Sequence, residues 1–215
     1  MNVFGNGGRS KLGLRNRKKA QREQRIMQAG RELFIKKGFG DTTMEEIAEH
    51  ADVGVGTLYN YFKNKNALLV AIFDEVHLEA VEKIEAVVKD PPADPVEGVL
   101  AVLMMYDTWY GFGKPLLREL FAVIFQQMGG MGSEFMQMDL EVMGQLGVLL
   151  NEYQRRGVLA ADLNVQEAVM LIYGCFFTQI TMFVAMDGMT MDMLQIMSRR
   201  QFELMFRGLL PRESQ

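Results

Sequence analysis

Apolar residues recur along the chain at spacings of three and four, and strand-like alternation is scarce, so the pattern predicts an all-α fold. Ile26, Ala29, Leu33 and Phe34 share one helical face, and Gly38 supplies a C-cap, which defines a first helix. The basic lead-in from Arg9 to Arg25 is expected to lack regular structure at first and to turn helical from about Lys19. Asp41-Thr42-Thr43-Met44-Glu45-Glu46 starts a second helix: Thr43, three residues before Glu46, fits a capping box in which hydroxyl and carboxylate satisfy free backbone N–H groups reciprocally. Ile47, Ala48 and Ala51 form its inner face, the chain must turn at Asp52, and a third helix runs from near Gly54 through Phe62. So short a connection is the geometry of a helix-turn-helix. A fourth helix begins at Asn64 to Ala67 and continues through Leu68, Leu69, Ile72, Phe73 and Val76 towards Val88. Asp90-Pro91-Pro92-Ala93-Asp94-Pro95 ends it, because proline lacks the donor and clashes with the preceding turn. Further helices are expected at about 96–110, 115–128, 133–156, 165–186 and 190–208.

Charge divides the chain. Residues 1–65 hold 13 of the 23 Lys and Arg and 7 of the 27 Asp and Glu, a net charge of +6, which leaves −10 for the rest. A basic head is drawn to a polyanion while an acidic body is repelled by it, so the field orients the molecule. Cys175 is the only cysteine, which excludes an intrachain disulfide, and no secretory signal opens the sequence; the expected compartment is cytoplasmic. The apolar run from Val169 to Met186 is interrupted by Thr178, Gln179 and Thr181. A membrane span needs about 20 predominantly apolar residues, so this run is read as a helix buried in a bundle or at a subunit interface, with no membrane partner.

In the third helix Val55, Leu58 and Phe62 repeat at three and four and are expected to form an inward stripe. The opposite surface then presents Gly56, Thr57, Asn60 and part of Tyr61, small and polar. A helix fits the major groove, where Thr can bond a base edge or pack on a thymine methyl and Asn can pair with adenine; Gly56 allows close backbone approach. Val55, Thr57 and Asn60 are therefore assigned to sequence discrimination. Thr43 at a helix N-terminus, the hydroxyls of Tyr59 and Tyr61, and Lys65 as a point charge are assigned to phosphate positioning, although the Tyr59 ring fits intramolecular packing equally well. The basic segment Arg15, Arg17, Lys18, Lys19, Arg22 and Arg25 either enters a neighbouring minor groove or screens the backbone without specificity.

The run Thr42-Thr43-Met44-Glu45-Glu46-Ile47-Ala48, then Ala51 through Phe62, then Lys63-Asn64-Lys65-Asn66-Ala67-Leu68-Leu69 resembles the DNA-binding head of the TetR family of bacterial regulators, over about residues 22–70. The cap, the turn, the Leu58-Tyr59 and Tyr61-Phe62 pairs and the following lysine occur together at fixed spacing. The resemblance implies that Lys65 caps the phosphate-binding surface, that Tyr61 fills the place of a backbone-contacting aromatic or histidine, and that the fourth helix joins the head to a ligand-binding body. Two positions depart from the family: Asp52 where Gly is common, and Gly54 where Ser is common. Asp tolerates a left-handed turn at some cost, and Gly is a weaker cap than Ser.

The architecture so read is an N-terminal three-helix helix-turn-helix DNA-binding domain, 20–66, joined to a larger helical effector-binding and dimerisation domain, 67–210. Fifteen of the 18 methionines lie beyond residue 100. Methionine fits irregular shapes and is enriched on adaptable binding surfaces, so Met105, Trp109, Tyr110, Phe112, Phe121, Phe125, Met128, Met143, Tyr173, Phe176, Phe177 and Gln179 are candidates to line a mainly apolar effector pocket. Leu171, Cys175 and Phe183, with Leu194, Met197, Phe202 and Met205, are candidates for a two-fold interface that sets two reading helices on successive major-groove faces of a palindromic operator. The implied partners are double-stranded DNA, a second copy of the chain and an apolar or amphipathic small molecule.

Enzyme chemistry fares poorly. His50 and His77 are the only imidazoles, and Cys175 lies in an apolar helix. The sequence has no His-Glu-x-x-His, Cys-x-x-Cys or Walker-type motif, and Gly129-Gly130-Met131-Gly132 has no basic residue close behind it. No catalytic group, cofactor or metal site is expected. A ligand-independent architectural DNA binder is the remaining alternative, distinguished by weak sequence preference and steep salt dependence.

Overall fold

The computed structural model describes residues 7–104, 111–127 and 134–209. Across them the chain forms α1 (Gly7–Lys37), α2 (Met44–His50), α3 (Val55–Tyr61), α4 (Lys65–Lys89), α5 (Pro95–Leu103), α6 (Gly113–Gln127), α7 (Glu134–Arg155), α8 (Val165–Ala185) and α9 (Met191–Leu209), with no strand among the described residues. The all-α expectation holds. Two boundaries differ from the sequence pattern. α1 is helical already from Gly7, not from about Lys19: between residues 7 and 18 the helix formers Arg, Lys and Leu outnumber the glycines and no proline interrupts them. α5 ends at Leu103 with Met104 as its C-cap, short of the expected 110.

The chain divides into two units, one ending at Glu75 and one beginning at Val76. The division falls inside α4 rather than before it, since Leu68, Leu69, Ile72 and Phe73 are all buried in the first unit. In that unit α1 packs on α2 and α2 on α3, around Ile26, Ala29, Phe34, Ile47, Ala48 and Leu58. Gly30 allows close packing against α4: a Cβ there would lie 2.8 Å from Leu68 Cδ2.

The second unit is a helical bundle in which α7 packs on α8 and α5, while α9 packs on α5 and α8 and α6 packs on α8. Its core runs through Val99, Leu103, Leu146, Leu149, Leu150, Tyr153, Ile172 and Phe202. Polar side chains fix the helix ends around it. Asp94 caps α5 by accepting from Val96 N at 2.9 Å, with Pro95 at the first helical position; Asn164 caps α8 through Gln166 N and Glu167 N. The Gln154 amide donates to the carbonyls of Ala160, Ala161 and Leu163, holding the turn after α7.

Tyr153 is fully buried, and its hydroxyl donates to Pro92 O at 2.8 Å; burial pushes its pKa up to about 12. The ring has room because residue 98 is glycine: a Cβ at Gly98 would stand 2.1 Å from the hydroxyl and 3.0 Å from Cζ. Gly98→Ala is therefore expected to displace the ring and its hydrogen bond and to destabilise the body by about 2–4 kcal/mol in urea unfolding. Gly144→Ala, where an added Cβ meets nothing within 4 Å, is expected to leave stability unchanged or slightly raised.

Candidate nucleic-acid interface

α2 starts as its residues require. Thr43 Oγ1 accepts from Glu46 N at 3.2 Å while Thr43 N donates to Glu46 Oε2 at 3.0 Å, a complete capping box. Lys37 Nζ donates to Glu46 Oε1 at 2.5 Å, and this contact, with the Thr43 backbone donor, holds the Glu46 carboxyl below its ordinary pKa. The turn into α3 passes through Asp52 with φ 51°, the left-handed conformation that Gly adopts freely and Asp at a cost. Gly54 is the N-cap of α3 and makes no side-chain cap bond.

The reading helix is anchored by Leu58, fully buried, and by Phe62 just past its end. Val55 departs from the expected inward stripe: it is 38% exposed, because the helix begins at this residue and its first turn projects past the packed core. Gly56, Tyr59 and Asn60 are exposed, and Thr57 and Tyr61 are half-buried. Nothing lies within 4 Å of the place a Gly56 Cβ would take, so the fold does not demand a glycine there. The Tyr61 hydroxyl donates to Lys19 O at 3.3 Å, tying α3 to α1.

Thr43 is exposed at the start of α2. Lys65, expected as a point charge, sits instead with all three ammonium protons directed at backbone carbonyls: Phe39 O, Gly40 O at 3.1 Å and Thr42 O at 2.9 Å. It also lies 4.5 Å from the Phe39 ring centroid. Its side chain thus organises the connector that presents Thr43 and α2. That role needs carbonyls from 23 to 26 residues away, which no local spacing signals.

In the body, Met105, Trp109, Tyr110 and Met128 lie outside the described residues. The structure brings the Phe121 ring to 6.2 Å from Phe125 and 6.4 Å from Phe177, a shelf between α6 and α8 on which Phe125 is half-exposed. Phe176, Met143 and Tyr173 join the bundle core, and Phe112 is buried. Gln179 is buried with its amide engaged between α8 and α9: it donates to Cys175 Sγ at 3.2 Å and Gln201 Oε1 at 2.7 Å, and accepts from the Ser198 hydroxyl. Beside the shelf's helices runs a second polar set: the Tyr173 hydroxyl donates to Asp139, whose pKa burial raises, and His77 Nε2 lies 3.3 Å from Glu141 Oε2. Of the residues expected at the two-fold interface, Phe183, Leu194 and Phe202 are buried in the chain's own interior, whereas Leu171 is 59% exposed and Cys175, Met197 and Met205 are half-buried.

A capped, tightly turned helix pair with an exposed small-residue face, on a purely helical body, defines a helix-turn-helix DNA-binding transcriptional regulator. The sequence model for bacterial regulatory proteins of the tetR family matches residues 26–72, the segment that holds α2 and α3. It is 25% identical over 198 residues to the fatty acid metabolism regulator protein of Bacillus subtilis (strain 168), covering 90% of this chain and 98% of that one. Its fold is similar to a TetR-family transcriptional regulator of Pectobacterium atrosepticum, with TM-score 0.70 at 24% identity over 91% of this chain and 97% of that one. It is also similar to the transcriptional regulator FadR of Bacillus subtilis in complex with stearoyl-CoA, with TM-score 0.61 at 25% identity over 86% and 98%.

The Asp52 geometry gives a direct test. Asp52→Gly relieves the left-handed strain and is expected to stabilise the head by about 0.5–1 kcal/mol, whereas Asp52→Val should lower stability by more than about 1 kcal/mol. Thermal unfolding followed by circular dichroism reads both; equal stability of the two variants would show that the turn relaxes to another conformation.

Proposed function

We propose that this regulator is a homodimeric repressor that leaves a palindromic operator when a long-chain fatty acyl thioester occupies its body. The end-to-end match to a protein named for the regulation of fatty acid metabolism carries the reading, and the likeness to a stearoyl-CoA complex supports it. The aromatic shelf of Phe121, Phe125 and Phe177 and the concentration of methionines beyond residue 100 suit a flexible alkyl chain. The second copy covers the exposed apolar face of α8, where Met170, Leu171 and Met182 stand clear, together with Met193 and Ile196 of α9. Thr178 and Thr181 do not roughen that face, since their hydroxyls bond back to Gly174 O and Phe177 O within the helix. Val55, Gly56, Thr57 and Asn60 read bases, while Thr43, Tyr59, Tyr61 and the Lys65-held connector meet phosphates. Ligand favours a disposition of the two heads that fits the operator less well, and each tenfold loss of affinity requires about 1.4 kcal/mol of coupling.

Selection of genomic fragments by the purified protein should return one palindrome with two equivalent half-sites. Titrating that complex with a chain-length series of acyl-CoA esters should release DNA with a potency that rises about tenfold or more per two added carbons, as expected from about 0.8 kcal/mol per buried methylene, until the cavity is filled. Free coenzyme A should release nothing. Release that does not depend on chain length would remove the acyl reading and leave the regulator standing.

Two substitutions separate reading from positioning. Asn60→Ala is expected to relax base preference at one position of each half-site, at a cost of about 1–3 kcal/mol on the preferred sequence. Lys65→Met, which frees the connector from its carbonyl clamp, should weaken every sequence alike. A change of base preference in Lys65→Met would contradict its placement.

A further inference from the structure

α1 carries more positive charge than the head's fold employs. From residue 7 to Arg25 the sequence holds eight Lys and Arg and one acidic residue, Glu23. Lys18, Arg22 and Arg25 succeed one another at spacings of four and three, which places them on one stripe of α1, and all three are exposed. With Gln21, Gln24 and Gln28 they line an open groove along the helix. In the sequence, Lys11 and Arg15 continue the same four-and-three spacing towards the amino end. Little negative charge answers it. Arg25 lies 3.7 Å from Asp52, and Gln24 donates to Glu75, but among the described residues neither Lys18 nor Arg22 has an ion-pair partner. The stripe passes the level of Lys19, whose carbonyl accepts from the Tyr61 hydroxyl of the reading helix.

We propose that the amino-terminal half of α1 is a second DNA-binding element, one that lies along the phosphate backbone of the duplex beside the half-site. The proposal rests on the DNA-binding reading of α3 and goes beyond it. Secondary structure decides between the two modes open to a basic segment. An extended arm can enter a minor groove, but a helix with its side chains is about 10–12 Å across, and the minor groove is about 6 Å wide. A helical arm is therefore kept out of the minor groove, and with α3 occupying the major groove of the half-site its cations and amide donors are left to meet phosphate oxygens and read no base. A membrane surface is a poorer fit, because Leu12 and Leu14 are the only large apolar residues between residue 7 and Arg25 and provide no apolar face.

The test compares the full chain with its K18Q/R22Q variant by fluorescence anisotropy on two duplexes: the selected operator with flanks, and a random sequence several helical turns long. Each phosphate contact removed lowers the slope of log affinity against log salt by about 0.9. The double variant is thus expected to be shallower by about 1.8 on both duplexes, with base preference across half-site variants unchanged, and K18R/R22K to keep the parent slope. An unchanged slope in K18Q/R22Q overturns the arm, and so does a shift in base preference. Should the parent bind neither duplex even at low salt, the DNA-binding reading itself falls and this inference with it. Unfolding curves matching the parent's establish that the substitutions act at the surface.

Discussion

The carbonyls of a connector have no intrahelical donors, and in this chain a lysine from a later helix supplies them. Lys65 reaches back from the start of α4 to the carbonyls of Phe39, Gly40 and Thr42 and rests over the Phe39 ring. That contact fixes the connector between α1 and α2. From there the Thr43 capping box sets where α2 begins, and the Asp52 turn sets where α3 leaves it. The body repeats the arrangement: Lys114 of α6 donates to the carbonyls of Met186, Asp187 and Met189 after α8 and stands 4.4 Å from the Phe183 ring. Arg118, one turn on, adds Val184 O at 2.8 Å and the Asp187 carboxylate. In both units a long flexible cation stands over an aromatic ring and holds the connector that follows a helix.

The interior of the body is apolar, but its few polar groups are arranged in closed sets. Gln179, Ser198, Gln201 and Cys175 bond one another across α8 and α9, so neighbouring side chains replace the water that a buried amide would otherwise lose. Such a set permits one register of the two helices, whereas leucines alone would tolerate sliding. The outer side of α8 has the opposite character. Its most apolar 18-residue window has a mean hydropathy of 1.8, and 39% of that window is buried within the chain. Its composition suits two covered sides, one inside the chain and one under the second copy proposed above.

What could be read from the sequence was what depends on neighbours within a few positions. The capping pair Thr43 and Glu46, the stop at Gly38 with φ 95°, and the strained Asp52 are local devices, and each stands where its spacing placed it. The helical register of the bundle followed from apolar periodicity for the same reason. What escaped depends on partners far along the chain. Phe183, Leu194 and Phe202 have the same composition as interface residues, and only the packing of α9 on α5 and α8 assigns them to the interior. Gln179 looked like a pocket anchor until Ser198 and Gln201 were brought against it. The early start of α1 escaped for another reason: residues 7–18 carry no apolar stripe to announce a helix, only the propensity of their Arg, Lys and Leu.

The packing of α9 against α5 also orders the events of synthesis. Arg199 pairs with Glu97 at 2.6 Å across 102 residues, and Phe202 and Phe206 share one core with Val99 and Leu103. The head's core residues, Ile26 to Phe73, by contrast all lie within the first 75 residues of the chain. At a translation rate of roughly 5–20 residues per second, the apolar side of α5 waits roughly 5–20 s before α9 emerges to cover it. The helix-turn-helix half can therefore be finished while the body is still an open hydrophobic surface, and it is the latter that depends on prompt completion of the chain.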